Sequence, residues 1–286
     1  MITYTQAIIL GLLQGVSELF PVSSLGHSVI LPSLLGWNIQ QNDNFFITFL
    51  IATHLATALV LVGFFWKDWI NIINGMAKSL AKRSISKSNP MGKLGWLLVV
   101  GTIPAGLIGL LFEDPLRQFF VSARSAAFFL ILNGVLLYGA ELLRRRAAKR
   151  KEESGSDSKI AELSWWQALS VGAAQALALI PGFSRSGATM SGGLLVGLNN
   201  ENAARLSFLL ATPIILGAAL LKLPELFLQQ NHALIGPALV GAVCSGVSAY
   251  LAVRFLMRYF EQHRLTSFAA YCLIAGVISS ILLVAR

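Results

Sequence analysis

Pro181-Gly182-Phe183-Ser184-Arg185-Ser186-Gly187-Ala188-Thr189 interrupts a strongly apolar run that extends from Trp165 to Leu198. An arginine inside such a run is costly unless it faces a polar cavity or a partner. Pro181 ends any helix arriving from Trp165. Ser184 is placed to cap a new helix, leaving free backbone N–H groups at its start. A helix start that carries hydroxyls and an arginine is an anion site, and phosphate is the usual anion. A second stretch has the same plan: Gln14-Gly15-Val16-Ser17-Glu18-Leu19-Phe20-Pro21-Val22-Ser23-Ser24-Leu25-Gly26-His27. It runs from an apolar helix pattern through proline and serines into another apolar run, and it adds a carboxylate and an imidazole. Together the two stretches hold most of what phosphoryl chemistry needs.

The rest of the chain places these stretches in a membrane. Of 286 residues, 55% are hydrophobic and 12% charged, with a mean hydropathy of +0.68. A soluble domain of this length carries about twice that charge fraction. The composition is that of an all-α polytopic membrane protein. The net charge of +9 is assigned to cytoplasmic loops that meet anionic lipid, and no basic, aromatic-interleaved patch points to nucleic acid. Cys244 and Cys272 lie in apolar segments without metal-type spacing and read as packing residues. The start has no basic n-region and no small-residue cleavage site, so no removable signal peptide is expected.

Thr5 to Phe20 and Val22 to Trp37 are each about 16 residues long, below the roughly 20 needed to cross a bilayer, so a re-entrant hairpin is expected there. Phe45–Trp66, Leu94–Phe112 and Ala123–Leu143 read as spans. Lys67 to Lys93 reads as a polar loop, with Lys67, Lys78, Lys82, Arg83, Lys87 and Lys93 against Asp68, and is placed in the cytoplasm. Glu113–Ser122 is a short outer loop. Arg144–Glu162 is a second cytoplasmic loop with a flexible Ser/Glu/Gly centre. A second broken pair follows, Trp165–Ile180 and Ser186–Leu198, and then spans at Arg205–Leu221, Leu234–Val253 and Ser267–Val284. Arg254, Arg258 and Arg264 are read as the last cytoplasmic loop.

The two halves repeat. Gly11 and Gln14 match Gly172 and Gln175 at an offset of 161, Pro21 matches Pro181 at 160, and Phe49-Leu50-Ile51-Ala52-Thr53 matches Phe208-Leu209-Leu210-Ala211-Thr212 at 159. Three matches in order at nearly one offset mark an internal duplication. The expected fold is one membrane domain over 1–286 with six transmembrane helices plus two re-entrant helical hairpins. Repeat 1 covers about 1–143, a linker 144–164, and repeat 2 165–286. An odd number of crossings between the hairpins makes this an inverted-topology repeat with its site near the midplane. The first hairpin then opens outside, the second inside, and both termini fall outside. The helices beginning at Ser23-Ser24 and at Ser184-Arg185-Ser186 point their positive ends into one cavity, which with Arg185 suits a doubly charged anion.

Within that cavity Arg185 is read as a bidentate phosphate clamp. Ser184, Ser186 and Thr189 are candidate phosphate contacts, against roles as helix caps or i−4 back-bonds. Ser24 and His27, at i and i+3, share a helix face, which suits an activated nucleophile. His27 alternatively activates a water or protonates the leaving oxygen. Gln14 lies one turn from Glu18. Two readings of Glu18 stand: ligand of a divalent metal bridging to phosphate, or ion-pair partner of Arg185 without metal. His54 is assigned to core packing or support rather than catalysis, and His232 and His263 to solvated loops.

At these residues the chain resembles the undecaprenyl-pyrophosphate phosphatases, integral membrane enzymes linked to bacitracin resistance. QGVSELFPVSSLGH and PGFSRSGAT are similar to that family's two signature motifs, and the similarity covers nearly the whole chain. The resemblance implies removal of one phosphate from undecaprenyl pyrophosphate outside the bacterial cytoplasmic membrane, recycling a lipid carrier for peptidoglycan. It also implies Mg²⁺ or Ca²⁺, inverted repeats with two re-entrant hairpins, and a homodimer in many members. Carried over by position, the acidic motif falls on Gln14 and Glu18, the serine and histidine on Ser24 and His27 beside Ser23, and the arginine motif on Ser184, Arg185, Ser186 and Thr189. Many members carry glutamate where Gln14 stands. A neutral amide is neither a base nor an anionic ligand, so Glu18 carries that role alone. The acid-phosphatase type of lipid phosphatase does not fit, because no histidine follows Ser184-Arg185 at a suitable distance.

The competing class is a transporter or lipid flippase, since inverted repeats with broken helices are a transporter design. A base beside a hydroxyl favours chemistry over binding alone. A channel is disfavoured because no ring of repeated polar residues forms a filter.

Overall fold

The structure, a computed structural model, describes residues 2–37, 39, 44–86, 88–112, 122–150, 160–222 and 232–285. Among them are eleven α-helices and no strand. They are α1 (Tyr4–Leu19), α2 (Ser24–Leu35), α3 (Asn44–Phe64), α4 (Trp66–Ala81), α5 (Pro90–Leu111), α6 (Ala123–Arg150), α7 (Trp165–Gln175), α8 (Arg185–Leu195), α9 (Asn200–Lys222), α10 (His232–Gln262) and α11 (Thr266–Val284). Six of these, α3, α5, α6, α9, α10 and α11, are long and apolar enough to cross a membrane. The chain is a multi-pass helical membrane protein.

The short helices come in two pairs with the same build. Thr3 and Gln6 form a capping box at the start of α1, and Ser164 and Gln167 form one at the start of α7. Each pair breaks at its proline. Ser23 and Ser184 then cap α2 and α8, accepting the N–H of Gly26 and Gly187, both at 3.1 Å. Each pair also folds back on itself. Trp37 and Ile39, beyond α2, join one apolar cluster with Ile2, ahead of α1. Gln167, in the first turn of α7, donates to the carbonyl of Val196 just past α8 at 3.2 Å.

Glycines set how closely the pairs dock. Gly11 and Gly15 bring α1 onto the backbone of α10 at Gly241 and Ser245, and Gly172 brings α7 onto α5 at Gly101. This is the small-residue packing that membrane helices use where water supplies no driving force. A Cβ at Gly15 would overlap the Ser245 carbonyl and the Ser248 hydroxyl. Gly15→Ala is therefore expected to push α1 outward and to cost about 1–3 kcal/mol, read as a lower melting temperature in detergent. An unchanged melting temperature would contradict this packing. Phe49 and Phe208, equivalent positions of the repeated pentapeptide, are both fully buried.

Three loop expectations are corrected. Lys67–Lys93 is not one polar loop: Trp66–Ala81 is a helix, with Ile72, Gly75 and Ser79 buried and Trp66, Ile70, Ile73 and Leu80 exposed. Its apolar residues recur at helical spacing between the lysines, and it is pinned to α5 by Asn89 Nδ2 on the Gly75 carbonyl (2.7 Å) and Trp96 Nε1 on Ser79 Oγ (2.8 Å). The span from Ala123 continues through Arg144, Arg145 and Arg146 to Arg150. Arg254 and Arg258 lie on α10 rather than in a loop. The extensions, Arg144–Arg150 and Arg254–Gln262, contain neither Gly nor Pro, and long basic side chains extend from a helix to water without unwinding it. The Glu113–Ser122 loop lies outside the described residues apart from Ser122.

Candidate active site

The breaks of the two short pairs meet. Gly182 adopts φ +107° and sits against the backbone of α6 at Ala126, where a side chain would not fit. Across the junction, Ser186 Oγ donates to the Phe20 carbonyl at 2.9 Å. Asn133 of α6 ties both breaks together: its Nδ2 donates to the Pro21 carbonyl at 3.0 Å and its Oδ1 accepts the Ser184 N–H at 3.1 Å. Sequence reasoning missed Asn133. The signal was there, because it is the one amide in the apolar run from Ala123 to Leu143, and a polar residue at such depth needs a partner.

Glu18, in the last turn of α1 and 5% exposed, is the hub. Its Oε1 accepts Arg185 Nε at 3.0 Å. Its Oε2 accepts Ser24 Oγ at 2.6 Å and Gln14 Nε2 at 3.2 Å, and lies 3.2 Å from His54 Nε2. Arg185 also donates through Nη1 to the Ser207 carbonyl at 3.1 Å, whereas its Nη2 is buried without a partner, as is Gln14 Oε1. One buried donor and one buried acceptor are thus unused beside a serine hydroxyl. Buried polar groups are normally paired, so these two atoms are free to meet a polar ligand.

The structure brings Gln14, Glu18, Ser24 and Arg185 together and adds His54, which sequence reasoning had assigned to packing or support. His54 Nδ1 faces the Leu50 carbonyl at 2.7 Å and Nε2 faces Glu18. Both partners only accept, an arrangement that a doubly protonated imidazole would satisfy at both nitrogens. His54→Leu removes a charge-assisted hydrogen bond worth about 1.5–3 kcal/mol. It is expected to lower kcat/KM about 10- to 100-fold in a phosphate-release assay, and wild-type kinetics would rule out this contact's importance.

Ser24 and His27 do share a helix face, but they do not bond to each other. The Ser24 hydroxyl turns back to Glu18, because an ionised carboxylate is the stronger acceptor. His27 instead directs Nδ1–H to the Ser23 carbonyl at 2.6 Å and places Nε2 2.8 Å from the Tyr271 hydroxyl. Ser23 holds φ +69°, a left-handed backbone rare outside glycine. Such local strain is carried by surrounding bonds and gathers at functional turns.

Ser184, Ser186 and Thr189 lie at the same junction with their hydroxyls already committed. Ser184 caps α8, Ser186 holds Phe20, and Thr189 Oγ1 donates to the Arg185 carbonyl at 2.8 Å and is bonded to Ser207 Oγ at 2.6 Å. These bonds hold the start of α8, and Arg185 with it, against Glu18. His263 is exposed and stacked on Tyr259. The His232 side chain lies outside the described residues.

For a divalent cation the donor set is lean. Among the described residues no group of three or more His, Cys, Asp or Glu side chains could hold a metal. Glu18 is the one carboxylate here, and the buried Gln14 Oε1 is a hard oxygen without a partner. Gln14 Oε1 is the unpartnered oxygen, whereas both Glu18 oxygens already accept from Arg185, Ser24 and Gln14 and face His54, so a cation here would share Glu18 with those partners and draw its remaining ligands from phosphate oxygens and water, the usual manner of Mg²⁺.

The chain has relatives among known proteins. Residues 7–278 match the family described as "Bacitracin resistance protein BacA". The chain belongs to the BacA family. Three BacA-like relatives cover it almost end to end. It is 46% identical over 303 residues to the undecaprenyl-diphosphatase of Mycolicibacterium paratuberculosis, covering 100% of this chain and 99% of the relative. It is 44% identical over 277 residues to undecaprenyl-diphosphatase 2 of Chromobacterium violaceum, covering 96% of each. It is 47% identical over 271 residues to undecaprenyl-diphosphatase 2 of Burkholderia ambifaria, covering 94% of this chain and 93% of the relative. In this BacA-family chain the stretches 14–27 and 181–189, both within the matched residues 7–278, meet at the junction of the two breaks.

Proposed function

We propose that this chain is an undecaprenyl-diphosphatase: it hydrolyses undecaprenyl diphosphate to undecaprenyl phosphate and inorganic phosphate, returning the lipid carrier to cell-wall synthesis and conferring bacitracin resistance. The observation that carries this is the Ser24 hydroxyl 2.6 Å from Glu18 Oε2, with Arg185 on the other carboxylate oxygen and its Nη2 buried without a partner. A hydroxyl on a carboxylate is a nucleophile beside its base, and a buried guanidinium nitrogen awaits an oxyanion.

The chemistry follows from those contacts. Arg185 Nη2 and the start of α8 hold the terminal phosphate. Ser24 Oγ attacks the terminal phosphorus. The Oγ–P bond forms, the bridging P–O bond breaks, and undecaprenyl phosphate leaves with the electron pair. The Ser24 proton passes to Glu18 Oε2. A water then attacks the phosphoserine and gives its proton to His27 Nε2, which takes it in exchange for its contact with the Tyr271 hydroxyl and releases it to solvent as phosphate leaves, while Ser24 departs from phosphorus and recovers its proton from Glu18. Ser23, Ser184, Ser186 and Thr189 keep the two helix starts aimed at the phosphate. A divalent cation, Mg²⁺ or Ca²⁺, held through Glu18 and Gln14 Oε1, would neutralise phosphate charge.

The same reading extends to the architecture, an inverted-topology repeat with two re-entrant hairpins in one domain over 1–286. The fold-back of each short pair supports the hairpins. Their opposite entry is supported by docking partners. Gly11 and Gly15 meet Gly241 and Ser245, so α1 runs alongside α10 toward its arginine-bearing end. By contrast, α7 enters beside α5, whose start carries Lys93. With the basic ends cytoplasmic, the Ser24 side opens outward from the bacterial cytoplasmic membrane. A homodimer belongs to this proposal on family grounds. The flippase reading draws on the repeat design, but it has no use for a serine bonded to a carboxylate.

Incubating detergent-purified protein with undecaprenyl diphosphate and following phosphorus by NMR tests the reading. One orthophosphate and one undecaprenyl phosphate per substrate are expected. Unaltered lipid diphosphate with folded protein and Mg²⁺ or Ca²⁺ present would leave transport as the better account.

A further inference from the structure

The two reacting groups sit on different helix pairs. Ser24 opens α2 and Arg185 opens α8. The distance from the serine to a phosphate held by the arginine is therefore set by how one break stands against the other. Some contacts across the junction belong to the chemistry. Glu18 accepts Ser24 Oγ on one oxygen and Arg185 Nε on the other, and these bonds change as the serine proton moves. The bonds of Asn133 are of another kind. Asn133 lies on α6, outside both pairs, and is fully buried. Its Nδ2 donates to the Pro21 carbonyl at 3.0 Å and to Cys272 Sγ at 3.3 Å. Its Oδ1 accepts the Ser184 N–H at 3.1 Å. Both N–H groups and the carbonyl of the amide are thereby engaged. Pro21 comes three residues before Ser24, and Ser184 immediately precedes Arg185. The second break is also seated on the turns of α6 to either side of Asn133. A Cβ on Gly182 would overlap Ala126 and Phe129, and one on Gly187 would come to 3.2 Å from Leu137.

We propose that Asn133 is a positioning residue for phosphoryl transfer: by holding the main chain of both breaks, it fixes the distance between Ser24 Oγ and a phosphate bound to Arg185. The inference rests on the phosphatase reading and adds to it a residue from outside both signature stretches. Its bonds to Pro21 and Ser184 go to main-chain atoms, so they persist whether Ser24 carries a proton or a phosphoryl group. Ser186 Oγ on the Phe20 carbonyl, at 2.9 Å, makes another tie across the junction. One bond is a pivot about which the breaks can turn. The two bonds of Asn133, made from a third helix, remove that freedom. With its polar atoms engaged by protein, Asn133 has none left for phosphate, so its loss acts on attack rather than on capture. Arg185 keeps its own bonds to Glu18 and the Ser207 carbonyl and still binds the diphosphate. A displacement of about 1 Å between reacting atoms costs about 100-fold in rate.

The test compares full-length purified wild type, Asn133→Leu and Asn133→Ala. Leucine keeps about the same volume without polar atoms. Alanine leaves room for a water that can satisfy the Ser184 N–H and the Pro21 carbonyl without joining them rigidly. Two quantities are read on folded protein: kcat with undecaprenyl diphosphate, and the dissociation constant of its methylene-bridged, non-hydrolysable analogue. In both variants kcat is expected to fall about 100-fold with analogue binding unchanged. A variant that melts at a lower temperature yet turns over at the wild-type rate overturns the positioning role. So does a loss that falls on analogue binding, and so does a protein that no longer folds with either residue, which would assign Asn133 to the fold alone. A second readout does not depend on turnover. Amide hydrogen exchange, followed by mass spectrometry, should be about 10-fold faster over residues 181–187 in Asn133→Leu, the worth of one lost hydrogen bond. Wild-type exchange there overturns the tie. Absence of phosphate release from wild type would count against the phosphatase reading, while analogue binding and exchange still decide whether Asn133 holds the breaks.

Discussion

Arg185→Ala is expected to lower kcat/KM for undecaprenyl diphosphate by about 1,000-fold or more, the range seen when a charged group that stabilises a phosphoryl-transfer transition state is removed. Two effects combine. The phosphate loses the guanidinium whose Nη2 is buried without a protein partner. Glu18 loses the cation on Oε1, 3.0 Å away, leaving a 5%-exposed carboxylate with His54 as its remaining basic neighbour. Removing one partner of a buried charge pair is more damaging than never having built it. Arg185→Lys should recover little, because a point charge on a flexible stem cannot hold Glu18, the Ser207 carbonyl and a phosphate oxygen at once. Phosphate release and a binding measurement with a non-hydrolysable diphosphate would both register the loss. Wild-type rates in Arg185→Ala would remove the clamp from the account.

Ser24→Ala carries the second large effect and decides the nucleophile. If Ser24 Oγ attacks phosphorus, alanine leaves no route to the phosphoserine, and kcat should fall about 10,000-fold or more. If Ser24 only orients a water, the fall should stay near 10- to 100-fold, the worth of one charge-assisted hydrogen bond. The 2.6 Å contact with Glu18 Oε2 favours the larger loss, because the proton to be removed already lies on its acceptor. The alanine variant should remain folded, since the capping of α2 comes from Ser23. It should also retain diphosphate binding through Arg185.

Much of this was legible before any coordinates. The broken helix pairs followed from Pro21 and Pro181 and from runs too short to span. The contact between Glu18 and Arg185, named in one of the two readings of Glu18, is observed at 3.0 Å, and the divalent-cation reading stays a proposal. What sequence could not supply was competition among partners. Ser24 and His27 share a face by helical spacing, but spacing does not reveal that a carboxylate from the preceding helix outbids the imidazole for the serine proton. His54 follows a repeated pentapeptide and looked like packing, because its contact with Glu18 spans 36 positions and depends on where α3 crosses α1. Asn133 and Tyr271 reach the junction from α6 and α11, over separations of 112 and 244 residues, respectively, to Pro21 and His27. No local pattern encodes such contacts. The amphipathic helix Trp66–Ala81 was hidden for a different reason: Lys67–Lys93 was weighed by its six basic residues as a whole, only two of which lie on this helix, while the apolar face is visible only at helical period.

The measurement closest to the central claim is phosphate release from undecaprenyl diphosphate by purified protein, run side by side for wild type, Ser24→Ala and Arg185→Ala in a divalent-cation buffer and for wild type in a chelator. The account predicts rapid release by wild type and loss in both variants, with each variant folded by its melting curve. The chelated sample reports separately on the cation proposed at Glu18 and Gln14. Release by Ser24→Ala and Arg185→Ala at wild-type rates would contradict the account, because a site without its nucleophile and its clamp cannot be where the diphosphate is cleaved.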